Sequence, residues 1–181
     1  MQTVETKLLI LDLDETLIYA AERNLERDFD FIVGRYFVYK RPFLDDFLKF
    51  CLANFEVAVW TTATEKYAAQ IVENIFDYKD PLSFVWSRER CTSGFDAETK
   101  NIFYEKKIAK IKNRGYNLES IIAVDDSPEP WRSSYGNLVR VQPFFGEAAD
   151  EELKFLAIYL EKLTKIENIR RVEKRNWRNR I

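Results

Sequence analysis

The chain has 181 residues, 46% of them apolar and 15% aromatic, which suits one domain with a substantial core and excludes extended disorder. It contains no His, so Ser–His and Cys–His nucleophilic pairs and His-ligated zinc are excluded, and acid–base chemistry falls to carboxylates, Lys, Tyr or Cys. The formal charge of −2 is uneven: residues 165–181 carry seven Lys or Arg against two Glu, which leaves −7 on residues 1–164.

The elements follow in chain order. KLLILDLDETLIYA, residues 7–20, opens as a buried strand over 7–13 and then carries Asp12, Asp14 and Glu15. Unpaired buried carboxylates are costly, so a metal ion or an opening to water is expected at that point. Residues 19–33 are mixed and charged and read as a loop, and GRYFVYKR, 34–41, as a short strand. Pro42 suits the first turn of a helix over PFLDDFLKFCLANF, with Phe43, Phe47 and Phe50 or Cys51 facing inward. EVAVWTT, 56–62, is a second buried strand, and Thr62 or Thr64 can cap a helix striped by Tyr67, Ala68, Ile71, Val72, Ile75 and Phe76. LSFVWS and KNIFYEKK bracket the turn signal Ser93-Gly94, predicting a hairpin or small sheet within a β insertion over about 77–104. Residues 105–112 look helical, with Gly115 placed to end them. SIIAVDD, 120–126, and NLVRVQP, 137–143, are a third and fourth strand. Leu153, Leu156, Leu160 and Leu163 mark a last helix that can run into the basic end.

Strands alternating with helices predict an α/β fold: a Rossmann-like parallel sheet with helices on both faces. The expected division is a domain over 1–165 and a basic helical extension over 166–181, a solvated helix end able to touch an anionic partner. No apolar stretch is long enough to cross a bilayer, and MQTVETK has no signal pattern, so no membrane association and no export are expected. Cys51 and Cys91 need not pair in a core of this size, which suits a reducing, cytoplasmic setting.

In parallel sheets ligands collect at the carboxyl ends of strands. Asp12 and Asp14, Thr61 and Thr62, and Asp125 and Asp126 all fall there. One carboxylate of the first pair can act as nucleophile while the other handles protons, and a divalent cation removes the repulsion between them. Asp126 is a natural further ligand, and the oxygen-rich set favours Mg²⁺. Carboxylate and Mg²⁺ fit phosphoryl transfer, with Thr61 and either Lys106 or Lys107 as donors to the transferred group. Taken singly, these residues have ordinary structural readings: a DxD turn, a cap, a loop, a solvated Lys. Their joint placement at the ends of separate strands carries the functional reading.

These residues resemble a known family. DLDETL matches the DxDxT signature of the haloacid dehalogenase superfamily of phosphatases. KRPFLDDFL, VAVWTTATEKYA, SRERC and DDSP are similar to segments of its small carboxy-terminal-domain phosphatases, the NLI-interacting-factor type, over roughly residues 7–145. The resemblance implies that Asp12 accepts the phosphoryl group as a phosphoaspartate. It implies that Asp14 protonates the leaving oxygen, activates water, and offers its backbone carbonyl to Mg²⁺. Thr61, with Thr62 beside it, would hold the phosphoryl oxygens. Lys106 best matches the family Lys, with Lys107 the alternative, and Asp125 would support it. Asp126, where the family has Asn, would ligate the metal with Asp12 and Asp14. The implied substrate is phosphoserine or phosphothreonine in protein. The basic end keeps a nucleic-acid end phosphate in play, and a catalytically silent binding module of the same fold is the other class. Phe29, Phe31 and Tyr67 are candidates to line a side pocket.

Overall fold

Leu8–Leu11 forms β1, and all four side chains are buried. Alternation sends Leu9 and Leu11 to one face and Leu8 and Ile10 to the other, so the strand is covered on both sides. The computed structural model describes residues 6–98 and 100–181; residues 1–5, within the stretch read for an export signal, lie outside the described residues. Next come Ile18–Ala21 (β2), Phe31–Val33 (β3) and Tyr36–Lys40 (β4), an antiparallel sheet in the order β2-β4-β3. The loop expected over 19–33 is therefore partly strand. Its two short apolar runs become strands only by pairing with β4, which a local pattern dominated by charge conceals.

Helix α1 (Leu44–Asn54) follows Pro42, with Phe43 in the left-handed region (φ 65) at its start. Phe47 and Cys51 face inward as expected, whereas Phe43 is 45% exposed, because it precedes the helix rather than lying on its stripe. Then come β5 (Glu56–Trp60) and α2 (Glu65–Ile75), whose N-cap Thr64 makes no side-chain cap bond. The later elements are β6 (Leu82–Trp86), β7 (Thr92–Asp96), β8 (Asn101–Glu105), α3 (Ala109–Lys112), β9 (Ile121–Asp125), β10 (Leu138–Arg140) and α4 (Glu152–Thr164).

The main sheet has five strands in the order β10-β9-β1-β5-β6, all parallel. LSFVWS is its edge strand rather than part of a hairpin. The hairpin is β7 with β8, and Gly94 sits inside β7. The Phe103 ring lies over it: a Cβ there would stand 2.3 Å from the ring tip, so any larger residue pushes the ring aside. The helix expected over 105–112 shrinks to four residues. Glu105 still pairs in β8, and the Lys106 N–H is tied to the Pro130 carbonyl (2.7 Å).

Side chains of α1, α2 and α4 share one core with Leu9, Leu11, Val57 and Val59. The other face, which carries Trp60 of β5 and Trp86 of β6, is covered by the short α3 and by Trp131. Trp60 meets Trp86 (4.9 Å) and Trp131 (5.9 Å) edge to face. The predicted parallel sheet with cover on both faces is thus present, with three helices on one side and α3 with the short segments carrying Ile108, Leu118 and Trp131 on the other.

The solvated helical tail is not formed. α4 ends at Thr164, and the chain returns to the core through two short 3-10 turns, Ile169–Arg171 and Trp177–Arg180. Ile169 is fully buried and Trp177 nearly so; the indole N–H of Trp177 donates to the Arg140 carbonyl (2.7 Å) and its ring packs on Tyr159 (5.4 Å). Two isolated apolar anchors in a charged run have no periodicity to announce them. Cys51 and Cys91 are buried free thiols. Among the described residues, no helix is long and apolar enough to cross a membrane.

Candidate active site

The strand order reverses between β1 and β9: β5 and β6 lie beyond one side of β1, β9 and β10 beyond the other. Connections leave in opposite directions at such a point, and a crevice opens at the carboxyl ends. Here it has a volume of about 400 Å³. The Asp12 N–H donates to the Val124 carbonyl (3.0 Å), carrying the ladder one residue past β1. The N–H groups of Leu17 and Ile18 both donate to the Leu13 carbonyl (2.8 and 3.1 Å), and Glu15 adopts φ 60, so the chain turns out of the sheet at once. Leu13 stays in the core while Asp12 and Asp14 both line the crevice.

Lys106, 1% exposed, enters from the end of β8. Its ammonium donates to Asp12 Oδ1 (2.5 Å) and Asp125 Oδ2 (2.6 Å). Asp125 Oδ2 also accepts the Trp131 indole N–H (2.7 Å), and its Oδ1 accepts the Ser127 backbone N–H (2.9 Å). Lys107 lies 3.6 Å from Glu105 with 45% of its side chain exposed, outside the crevice lining. Asp126 Oδ1 accepts from the Thr16 hydroxyl (3.0 Å) and Oδ2 from the Ser127 hydroxyl (3.0 Å). Thr16 Oγ1 accepts in turn from the Asp126 N–H (3.1 Å). Thr61 is buried at the end of β5, with its hydroxyl oxygen accepting from the Ala63 N–H (3.0 Å), and Thr62 lines the crevice beside it.

Four aspartates share the crevice with one ammonium. Burial drives the Asp12 carboxyl well up, against the downward pull of Lys106. Burial also raises Asp14, which the Tyr67 hydrogen bond partly offsets, and raises Asp126, where the Asp125 charge adds to the effect. For Lys106, burial alone would lower the value, but the carboxylates of Asp12 and Asp125 outweigh it and hold the ammonium above the ordinary Lys range. Carboxylate oxygens of Asp12, Asp125 and Asp126 lie within 4.8 Å of one another. This is a hard, oxygen-only donor set with excess negative charge, which fits Mg²⁺. Asp125 is held by an ammonium, an indole N–H and a backbone N–H, whereas the two Asp126 oxygens accept only from the Thr16 and Ser127 hydroxyls, so Asp12 and Asp126 are the better-placed carboxylates of the three.

The structure therefore brings together Asp12, Asp14, Thr61, Thr62, Lys106, Asp125 and Asp126. Of the side-pocket candidates, Tyr67 reaches the site: its hydroxyl donates to Asp14 Oδ1 (2.5 Å). Phe29 meets the Phe37 ring at a tilt (5.2 Å) and Phe31 packs against the main core; neither lines the crevice. Sequence reading missed Thr16, Ser127 and Trp131. Thr16 and Ser127 lie inside DLDETL and DDSP, so a polar residue within each motif was the available signal. Trp131 had none.

The profile of the NLI interacting factor-like phosphatase family matches residues 7–170, beyond the 7–145 read from motifs. A probable C-terminal domain small phosphatase of Dictyostelium discoideum is 32% identical over 183 residues, covering 96% of this chain and 56% of that protein. CTD nuclear envelope phosphatase 1 of Xenopus laevis is 28% identical over 191 residues, covering 97% of this chain and 75% of that one. The chain thus spans little more than half of the first relative and about three quarters of the second. The solved structure of Fcp1, an essential RNA polymerase II CTD phosphatase, superposes with a TM-score of 0.70 at 17% identity over 93% of this chain and 70% of that one, a likeness of fold. By the match across residues 7–170, the chain belongs to the NLI interacting factor-like phosphatase family.

Proposed function

We propose that the chain is an Mg²⁺-dependent phosphatase that hydrolyses phosphoserine or phosphothreonine in protein through a phosphoaspartate on Asp12. The observation that carries this reading is the buried Lys106 bridge, which fixes Asp12 Oδ1 and Asp125 at the switch point while Asp12 lines the crevice. Asp12 attacks phosphorus in line as the bond to the leaving oxygen breaks, and Asp14 gives that oxygen its proton. Asp14 then takes a proton from water, which attacks the phosphoaspartate, releases phosphate and restores Asp12. Its raised proton affinity suits the first of these roles. Lys106 and Thr61, with Thr62 adjacent, hold the phosphoryl oxygens. Asp12, Asp126 and the Asp14 backbone carbonyl would hold Mg²⁺, which when bound supplies charge neutralisation to the phosphoryl group and relieves the crowding of carboxylates. Asp126, in place of the family's Asn, adds charge to that ligand set.

Among the described residues the crevice is lined by strand ends, the loops after them, and Phe103 and Tyr104 of the small hairpin, an open setting that suits a phosphoester carried on a macromolecule rather than an enclosed metabolite. The two buried thiols suit a reducing compartment such as the cytoplasm. The test is hydrolysis of an aryl phosphate with Mg²⁺ by the native chain and by Asp12→Asn, followed by phosphopeptides and a 5′-phosphorylated oligonucleotide. Activity that needs Mg²⁺ and Asp12 and favours the peptides is expected. Preference for the oligonucleotide reassigns the substrate, and an inert native chain leaves a binding module of the same fold.

A further inference from the structure

We infer that a second, cationic hollow beside the crevice takes the anionic flank of a phosphoprotein substrate. The hollow has a volume of about 600 Å³ and is walled by Arg140 of β10, by Arg170, Arg171 and Lys174 of the folded-back tail, and by Pro128 and Tyr135 from the segment after β9. The single carboxylate in its wall, Glu173, is paired with Arg175 (2.6 Å). Among the described residues, Arg140, Arg170 and Arg171 have no carboxylate partner. Lys174 donates to the carbonyls of Ile169 (2.6 Å) and Val172 (2.8 Å), which fixes the turn that presents the arginines. Burial pushes its ammonium down to about 8 and the charge of Glu173 only partly offsets this, so an incoming anion adds counter-charge there.

The hollow and the crevice share one wall. Ser127 and Glu129 line the crevice, whereas Pro128, between them in the chain, lines the hollow. Arg140 crosses the same partition, its Nε donating to the Asp126 carbonyl (2.9 Å). A peptide with its phosphorylated residue in the crevice needs to pass over a single loop to set neighbouring residues among the arginines. Glutamates and a second phosphoserine share the chemistry the hollow recognises. A nucleic acid is disfavoured: the −7 carried by residues 1–164 repels an extended phosphate backbone.

The inference rests on the phosphoprotein reading of the crevice, and the experiment separates the two. Fluorescein-labelled phosphoserine peptides with neutral, Glu-rich or second-phosphoserine flanks are bound to the Asp12→Asn chain and followed by anisotropy. Either anionic flank is expected to bind about tenfold tighter than the neutral one, as two or three exposed ion pairs supply. The preference shrinks with salt, disappears in Arg170→Ala/Arg171→Ala and persists in Arg170→Lys/Arg171→Lys. Equal binding of all flanks, or a preference that survives the alanine pair, overturns the inference. So does tighter binding of a 5′-phosphorylated oligonucleotide. A flank preference in a chain inert on every phosphoester supports the hollow and removes only the phosphatase reading.

Discussion

Two buried ion pairs sit on either side of Thr16, and they do opposite things. Arg41, 1% exposed, meets Asp150 through two hydrogen bonds, Nε to Oδ1 (2.8 Å) and Nη2 to Oδ2 (2.9 Å). Its remaining donors reach the carbonyls of Thr16 (3.0 Å) and Gln142 (2.9 Å). One cation faces one carboxylate, and the guanidinium fork is filled. Around Lys106, one ammonium faces the carboxylates of Asp12 and Asp125, with Asp14 and Asp126 in the same crevice. The proton affinities record the contrast. Burial pulls the Asp150 carboxyl up, but the Arg41 hydrogen bonds, the Glu152 N–H and the charges of Arg41 and Arg178 together outweigh it and hold the group below its ordinary value, whereas Asp12, Asp14 and Asp126 are all raised. A balanced pair with all three guanidinium nitrogens engaged is a strut. An unbalanced set opening on a crevice is built to receive something else. The two communicate through Thr16, whose carbonyl Arg41 holds and whose hydroxyl holds Asp126.

The largest expected effect tests the strut. Arg41→Met leaves Asp150 without its partner and frees the turn that carries Thr16, at a cost of about 3–5 kcal/mol of folding stability. Urea denaturation measures it, and a loss below about 1 kcal/mol would make this pair no more than a surface bridge. Acid sharpens the same point. Because folding depresses the Asp150 value, its contribution is whole above the ordinary carboxylate range and is lost as pH falls through the depressed folded value. The stability gap between the native chain and Asp150→Asn therefore narrows as pH falls through that window. A gap that stays constant there denies the linkage.

Next in size comes the unbalanced side. Lys106→Ala removes the buried ammonium between Asp12 and Asp125 and is expected to lower turnover of an aryl phosphate by about 10²–10³-fold. Without metal its melting temperature falls, and Mg²⁺ recovers more of that loss than it adds to the native chain, since binding to the folded state alone stabilises it. If Mg²⁺ shifts both equally, the carboxylates are not what it relieves. Asp126→Asn subtracts one ligand charge and is expected to raise half-saturating Mg²⁺ roughly tenfold, with turnover at saturation nearly kept. An unchanged titration would remove Asp126 from the metal site.

This contrast also separates what was legible in the sequence from what was not. The inner parallel strands were readable because strands buried on both faces are unbroken apolar runs, and the acids at their ends stood out against that background, whereas the partly exposed edge strand β6 passed for half of a hairpin. The antiparallel strands of 18–40 were hidden in part, since Phe31–Val33 is a strand only through its partner β4. Arg41 was read as part of a motif, not as a strut, because Asp150 lies 109 residues away and no periodicity links them. Trp131 was invisible for the same reason: its indole serves Asp125 only after the chain has folded. The tail misled because Ile169 and Trp177 are single anchors within a run of charge.

Tyr67→Phe is the smallest change and discriminates most finely. The hydroxyl donates to Asp14 Oδ1, while the ring packs edge to face on Tyr36 (6.1 Å), so the substitution deletes the donor and keeps the packing. If the hydroxyl orients Asp14 for proton transfer, its loss acts on the chemical step. Turnover should fall about fivefold, the equivalent of one hydrogen bond of roughly 1 kcal/mol, with KM unchanged. If Tyr67 instead serves as a wall for the peptide, the phenyl ring still provides it and both constants stay near native. A rise in KM with kcat intact would place the hydroxyl on the substrate rather than on Asp14. The same measurement in Lys106→Ala should give a smaller penalty, because two groups acting on one transition state are not additive. Full additivity would mean that the donor on Asp14 and the ammonium on Asp12 serve separate steps.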